Sequence, residues 1–226
     1  MVDPRRSYVN DPMWVVSALR YRDKPWGLSY DLLRLMAVRD PVVAAILQTR
    51  GMQVASLRKP SRYTRDGAGF VVRHRDPKHT LTKVEEKRAT DLEDFFVNCG
   101  VTRNKPDKLG IVLKKLIRDR LTLDQTCIEV VRDRKGRPAD FYAVDGASMR
   151  LVVDAGTDTT QGFMQLVGGL PAVEFTPDEL IFAVSNPRTD IRIAGYGFPE
   201  LEMLINVVTA HLFAEDYNKR DRKSVV

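Results

Sequence analysis

The chain has 226 residues, 43% hydrophobic and 29% charged, with 36 Lys and Arg against 30 Asp and Glu for a net charge of +6. That balance excludes a wholly disordered chain and suffices for the core of one domain or two small ones. No apolar run approaches the ~20 residues of a membrane-spanning helix, the opening MVDPRRSYVNDP lacks the apolar stretch of a secretory leader, and Cys99 and Cys127 are too few for a disulfide framework.

Residues 1–28 are rich in Pro, Arg, Asp and aromatics, among them Trp14, Tyr21 and Trp26, and read as an irregular arm that docks through its aromatic side chains. Ser29 then caps a helix over Tyr30–Val38 with Asp31 in its first turn. Asp40-Pro41 restarts a helix, Asp as N-cap and Pro at the first position, with Val42, Val43, Ile46 and Leu47 on its apolar face and Gly51 as its expected end. Arg58 to Arg75 holds six Lys and Arg interleaved with Tyr63 and Phe70. Such a pattern suits a nucleic-acid backbone, but Gly67-Ala68-Gly69 interrupts it, and a basic hairpin with a short strand at Phe70-Val71-Val72 is the plainer expectation. Thr80 and Thr82 offer caps for a helix to Asn98 whose buried side is Val84, Leu92, Phe95 and Phe96. A further helix fits Lys108–Leu121, with Leu109, Val112, Leu113, Leu116 and Ile117 on one face.

Strand patterns follow. Thr126–Val131 and Pro138–Val144 flank the turn Asp133-Arg134-Lys135-Gly136. Ser148–Val153 is another strand, Phe163–Val167 and Ala172–Phe175 form a hairpin across Gly168-Gly169, and Leu180–Val184 is the last. Helices over 29–121 precede strands over 122–185, and a long helix closes the chain. That segregation predicts an α+β fold with a helical N-terminal half, a β-hairpin-rich middle and a long C-terminal helix. The closing stretch opens with a polar turn, Asn186-Pro187-Arg188-Thr189-Asp190, and a Gly195-Tyr196-Gly197 elbow. Pro199 then occupies the expected first helical position. Leu201, Leu204, Ile205, Val208 and Leu212 recur on one helical stripe, with Glu200 and Glu202 at its start and Lys219 and Arg220 at its end, as the helix dipole favours.

The charge is unevenly placed. Residues 151–226 carry 6 Lys and Arg against 11 Asp and Glu, a net of −5, and the first 150 carry 30 against 19, a net of +11. Such asymmetry marks a nucleic-acid face, a solvated surface, or a ring protein whose basic part meets an acidic part of its neighbour. Signs of bond chemistry are few. Gly195-x-Gly197 lacks the third glycine of a dinucleotide site, and no phosphate-cradling GxxxxGK[ST] is present. His74, His79 and His211 have no metal-ligand spacing, and His211 reads as a surface or neighbour contact. Asp107, Glu129, Asp133 and Lys135 have loosely the spacing of a metal-dependent nuclease, but Asp133 and Lys135 fall in a hairpin turn that would not fix them. No catalytic, metal-ligating or cofactor-binding residue is expected.

The run FTPDELI, then NPRTDIRIAGYGFPELEMLI to AEDYNKR, resembles the portal proteins of tailed bacteriophages. The matching family-motif positions are Asn186, Pro187, Arg188, Asp190, Gly195, Tyr196, Gly197, Glu200 and Leu201, and Asp40–Val43 and Asp140–Asp145 match more loosely. The resemblance implies a non-enzymatic structural subunit in a ring, usually a dodecamer, at one capsid vertex. Its implied partners are further copies of itself, terminase, capsid and head-tail adaptor proteins, and double-stranded DNA in the channel, with no membrane and no cofactor. It implies a place in the virion, and in the host cytoplasm during assembly. It divides the chain into an arm (1–28), a wing-like domain (29–185), and a connecting loop with the long helix (186–226) that stops before the remaining portal regions. A fragment stopping there is expected not to close into a stable ring alone. The alternatives are a free-standing basic nucleic-acid-binding domain or, more weakly, the nuclease.

Overall fold

The computed structural model describes residues 21–24, 27–99, 107–154, 159–189 and 195–223. Most of the expected arm lies outside these. Tyr21–Arg22, expected to be irregular, is a short strand, β1, that pairs antiparallel with β4 (Met149–Val153).

Helix α1 (Tyr30–Arg39) is capped by the Ser29 hydroxyl, and α2 (Pro41–Ser56) by Asp40, whose carboxylate accepts from Val42 N and Val43 N. Gly51 does not end α2 but lies inside it and is buried. Helix α3 (Lys83–Val97) starts with a capping box in which Thr82 and Glu85 satisfy each other's backbone groups. The expected inner face of α3 is only partly right: Val84 is 78% exposed, and Glu93 is buried. The reason is electrostatic. Arg62 reaches Glu93 at 3.0 Å and Val72 N donates to it, so this turn faces inward, while Phe95 and Phe96 pack on Phe141. No strand forms at Phe70-Val71-Val72, where a single bridge joins Phe70 to Pro60.

Helix α4 (Leu109–Leu123) leads directly into the β layers. Strands β2 (Thr126–Arg132), β3 (Pro138–Val144) and β7 (Leu180–Ala183) make an antiparallel sheet in the order β3-β2-β7. Strands β5 (Thr160–Val167) and β6 (Leu170–Phe175) join β1 and β4 in a second, ordered β1-β4-β5-β6. Cys127 and Leu180 of the first sheet and Met149, Leu151, Phe163 and Phe175 of the second bury together with Tyr196. A second cluster joins Tyr30, Leu33, Met36 and Ala37 of α1 to Leu123, Leu201 and Val208. The expected long helix is interrupted: α5 (Glu200–Met203) ends at Leu204, and α6 (Ile205–Lys223) begins after it. The α+β architecture is as the sequence pattern indicates.

Candidate functional site

The last turn of α4 and the motif after β7 build one joint. Asp124 follows α4 in the left-handed region, φ 50°, and is almost wholly buried. This conformation turns the chain out of the helix, a role short polar side chains tolerate better than most. It also aims the carboxylate at the incoming motif, where Oδ1 accepts from Ser185 N at 2.9 Å and Oδ2 from Asn186 N at 2.8 Å. Burial pushes the Asp124 pKa up, against the pull of the Asn186 and Ser185 amides.

From there the motif folds back on itself. Phe198 N donates to Asn186 O at 3.2 Å, Asn186 Nδ2 reaches Phe198 O at 3.4 Å, and Pro187 bridges Gly197. The Gly197 backbone lies on Asp124 so closely that a Cβ would stand 2.1 Å from Asp124 Oδ2. Glycine is therefore required here by space. Gly195 is at φ 83°, where a side chain would be strained. The guanidinium of Arg188 lies 3.9 Å from the centre of the Phe198 ring. The chain thus forms a lasso whose neck is 186–188 and 197–198. Asp190 lies outside the described residues.

Tyr196 points the opposite way, into the sheets. Its hydroxyl donates to Arg22 O at 2.6 Å and accepts from Leu151 N at 3.1 Å, so one side chain ties the motif to both β1 and β4. Leu201 is buried in the helical cluster, and Glu200 stands exposed at the start of α5. Pro199 is buried as the residue before the helix rather than its first member. Glu202 accepts from Leu28 N and pairs with Lys24 at 2.8 Å, fixing α5 to the start of the described chain.

Three contributors were not anticipated from sequence. Asp124 and Gln125 sit between a helix and a strand pattern and were absorbed by neither, although two polar residues there are a cue for a cap. Gln125, fully buried, accepts from Tyr30 OH at 2.5 Å and donates to Gly146 O and Met149 O. His211 is not merely a surface group: its Nδ1 donates to Asp40 Oδ2 at 2.7 Å, joining α6 to the cap of α2. That bond raises the His211 pKa. Burial alone would raise the Asp40 pKa, but the Val43 amide, His211 and the Val42 amide together hold it below the usual carboxylate value.

The nuclease-like residues are not assembled. Asp107 pairs with Lys115, and Asp133 is held by Arg137 and by the amides of its own turn. No group of three or more His, Cys, Asp or Glu suited to a metal occurs among the described residues. Burial pushes the Cys127 thiol up to about 12, which leaves it unreactive at neutral pH.

No family model matches the sequence. The chain is 31% identical over 197 residues to a probable portal protein of Staphylococcus phage Twort, a match covering 84% of this chain and 34% of that protein. It is 32% identical over 183 residues to a probable portal protein of Enterococcus phage phiEF24C, covering 79% and 32% respectively. The chain therefore spans about a third of the length of these relatives. Among solved structures it superposes on a chain in the neck of an empty gene transfer agent particle computed with C6 symmetry, with TM-score 0.59 at 15% identity, over 84% of this chain and 45% of that chain. At that identity the likeness is one of fold. Over the third of their length that it spans, the chain belongs to the portal protein family of tailed bacteriophages.

Proposed function

We propose that this chain serves as part of a portal, a structural ring subunit at one capsid vertex that joins head to tail. In this reading the ring is the conduit for DNA during packaging and ejection and the docking site of terminase. The subunit performs no bond chemistry, and its place is the virion and, during assembly, the host cytoplasm. The observation that carries the reading is the identity of 31% along 84% of the chain with a probable portal protein.

The same reading assigns 1–28 to an arm, 29–185 to a wing-like domain, and 186–226 to a loop and helix leading on from it. Asn186, Pro187, Arg188, Asp190, Gly195, Tyr196, Gly197, Glu200 and Leu201 serve as a structural motif. Its hydrogen bonds to Asp124, Leu151 and Arg22 support that role, since they hold the lasso at a fixed angle to both core clusters. Immunogold labelling of purified particles with an antibody to this chain tests the reading. Label at a single vertex where the tail joins is expected; label spread over the shell, or absent from particles, would overturn it.

A further inference from the structure

Among the described residues, one side of α4 is lined by cations without a carboxylate among them. Arg58, Lys59, Lys108 and Lys114 surround an open cavity of about 530 Å³ floored by Val97 and Leu109. Lys114 and Arg118 border an adjoining cavity of about 400 Å³ between α2 and α4. Among the described residues none of these five is paired with an acid, and the one side-chain hydrogen bond they make runs from Arg58 Nη1 to Ala55 O. The groove has a built feature in Gly110. A Cβ there would lie 2.5 Å from Arg58 Cδ, so the glycine lets the arginine stem lie across the start of α4.

The opposite sign, with an open strand edge, occurs at β6. Among the described residues this strand is at the margin of its sheet and hydrogen-bonds to β5 alone. Leu170 through Glu174 are all exposed, Leu170 at 71% and Val173 at 45%. A strand whose outer edge pairs with no described residue, and whose side chains from Leu170 to Glu174 are exposed, is a ready site for association. Glu174 on the strand and Asp178 in the turn after it are exposed and their carboxylates form no ion pair among the described residues, although Arg132 donates to Asp178 O at 3.1 Å. The neighbouring Glu179 is engaged by Thr176.

We propose that copies of this chain join head to tail, the acidic β6 edge of one seated in the cationic groove along α4 of the next. The inference rests on the ring reading and names the surfaces that would make the ring. Charge complementarity carries it, in a chain whose first 150 residues have a net of +11 and whose last 76 have a net of −5. Each surface also offers apolar area to bury. Lys108 is about 20 Å along α4 from the end that meets the β layers, so the groove and the edge strand belong to different parts of the molecule. A contact between two unlike surfaces repeats from copy to copy and generates rings or filaments.

Charge reversal tests this in the full chain. The mass distribution is measured by native mass spectrometry and light scattering over a concentration series at low salt. Wild type is expected to associate reversibly, and Lys108→Glu/Lys114→Glu and Glu174→Lys/Asp178→Lys each to weaken association about tenfold or more. An equimolar mixture of the two variants is expected to recover it, because each variant's groove then matches the other's edge and the copies alternate. Circular dichroism confirms that both variants are folded. Wild-type association that neither reversal alters, or a mixture that fails to recover, overturns the proposal and leaves the ring reading standing. A wild type that stays monomeric at every concentration overturns the proposal, while the ring reading is decided separately by the labelling of particles. Loss of DNA binding in the Lys108→Glu/Lys114→Glu variant with unchanged association assigns the groove to nucleic acid, and also overturns it.

Discussion

Asp124 shows how much one side chain can settle. Its backbone adopts φ 50° and its carboxylate satisfies the amides of Ser185 and Asn186. Asp124→Ala leaves both donors without their acceptor and is expected to cost about 1–3 kcal/mol in urea unfolding. Asp124→Asn keeps one acceptor and tolerates the left-handed conformation, so its cost should be clearly smaller; equal losses would show that the backbone and not the carboxylate matters. His211 makes a different, pH-dependent contribution. Its folded pKa is raised by Asp40, so its stabilisation is full below the unfolded value of about 6.5 and is lost as pH rises through the folded one. The folded pKa of Asp40 is lowered, so its share is present above about 3.9 and is lost as pH falls through the folded value. The pair therefore works best between about pH 4 and 6.5. The urea midpoint of wild type should exceed that of His211→Gln most clearly near pH 5.5, with the gap shrinking by pH 9; a gap that does not change with pH would refute the linkage.

Element by element, local patterns were legible where burial follows periodicity. The hairpin across Gly168-Gly169, the cap at Asp40 and the β2–β3 turn occur where turn chemistry and alternation place them. What escaped was decided by long-range contact. Gly51 looked like a stop signal, yet α2 continues through it because its backbone packs toward α4, with Lys114 Cγ 4.0 Å from where a Cβ would be. That distance leaves room for a methyl, so Gly51→Ala is expected to stabilise the chain by about 0.5–1 kcal/mol; a lower thermal midpoint would mean that the packing is tighter than this. The apolar stripe of the closing helix was legible only in part. Leu201 and Val208 are buried, but Leu204, at the break between α5 and α6, is 50% exposed. Leu201→Ala should then cost about 2–5 kcal/mol and Leu204→Ala less than about 1 kcal/mol, where an unbroken stripe would make the two comparable. In the motif, sequence singled out Gly197 and Tyr196 but not their partners Asp124, Leu151 and Arg22, which no spacing rule connects to them.

Across the molecule, a helical cluster and an intersheet cluster have no described side chain in common, and the joint at the end of α4 lies between them. Leu123 faces the first cluster and Cys127 the second, so the residues between have to turn the chain without leaving buried polar groups unsatisfied. Gln125 does this by linking Tyr30 of α1 to Gly146 and Met149 beside β4. Asp124 binds the lasso, and Tyr196 of that lasso enters the intersheet cluster while Leu201 enters the helical one. Two clusters tied through Gln125 and the lasso should unfold together. Ellipticity at 222 nm, dominated by the helices, and the near-ultraviolet tyrosine signal, which includes buried Tyr196 and Tyr142, are expected to give coincident urea transitions in wild type. Gln125→Ala removes the link from α1 to the β layer and takes their Gln125 partner from the Tyr30 hydroxyl and the Gly146 carbonyl at once, while Met149 O keeps its bond from Arg150 Nη1. The two transitions should then separate, the loss exceeding the ~0.5 kcal/mol within which surface changes usually fall. Coincident curves in the variant, merely shifted to lower urea, would show that packing at Leu123 and Leu201 couples the clusters without the glutamine.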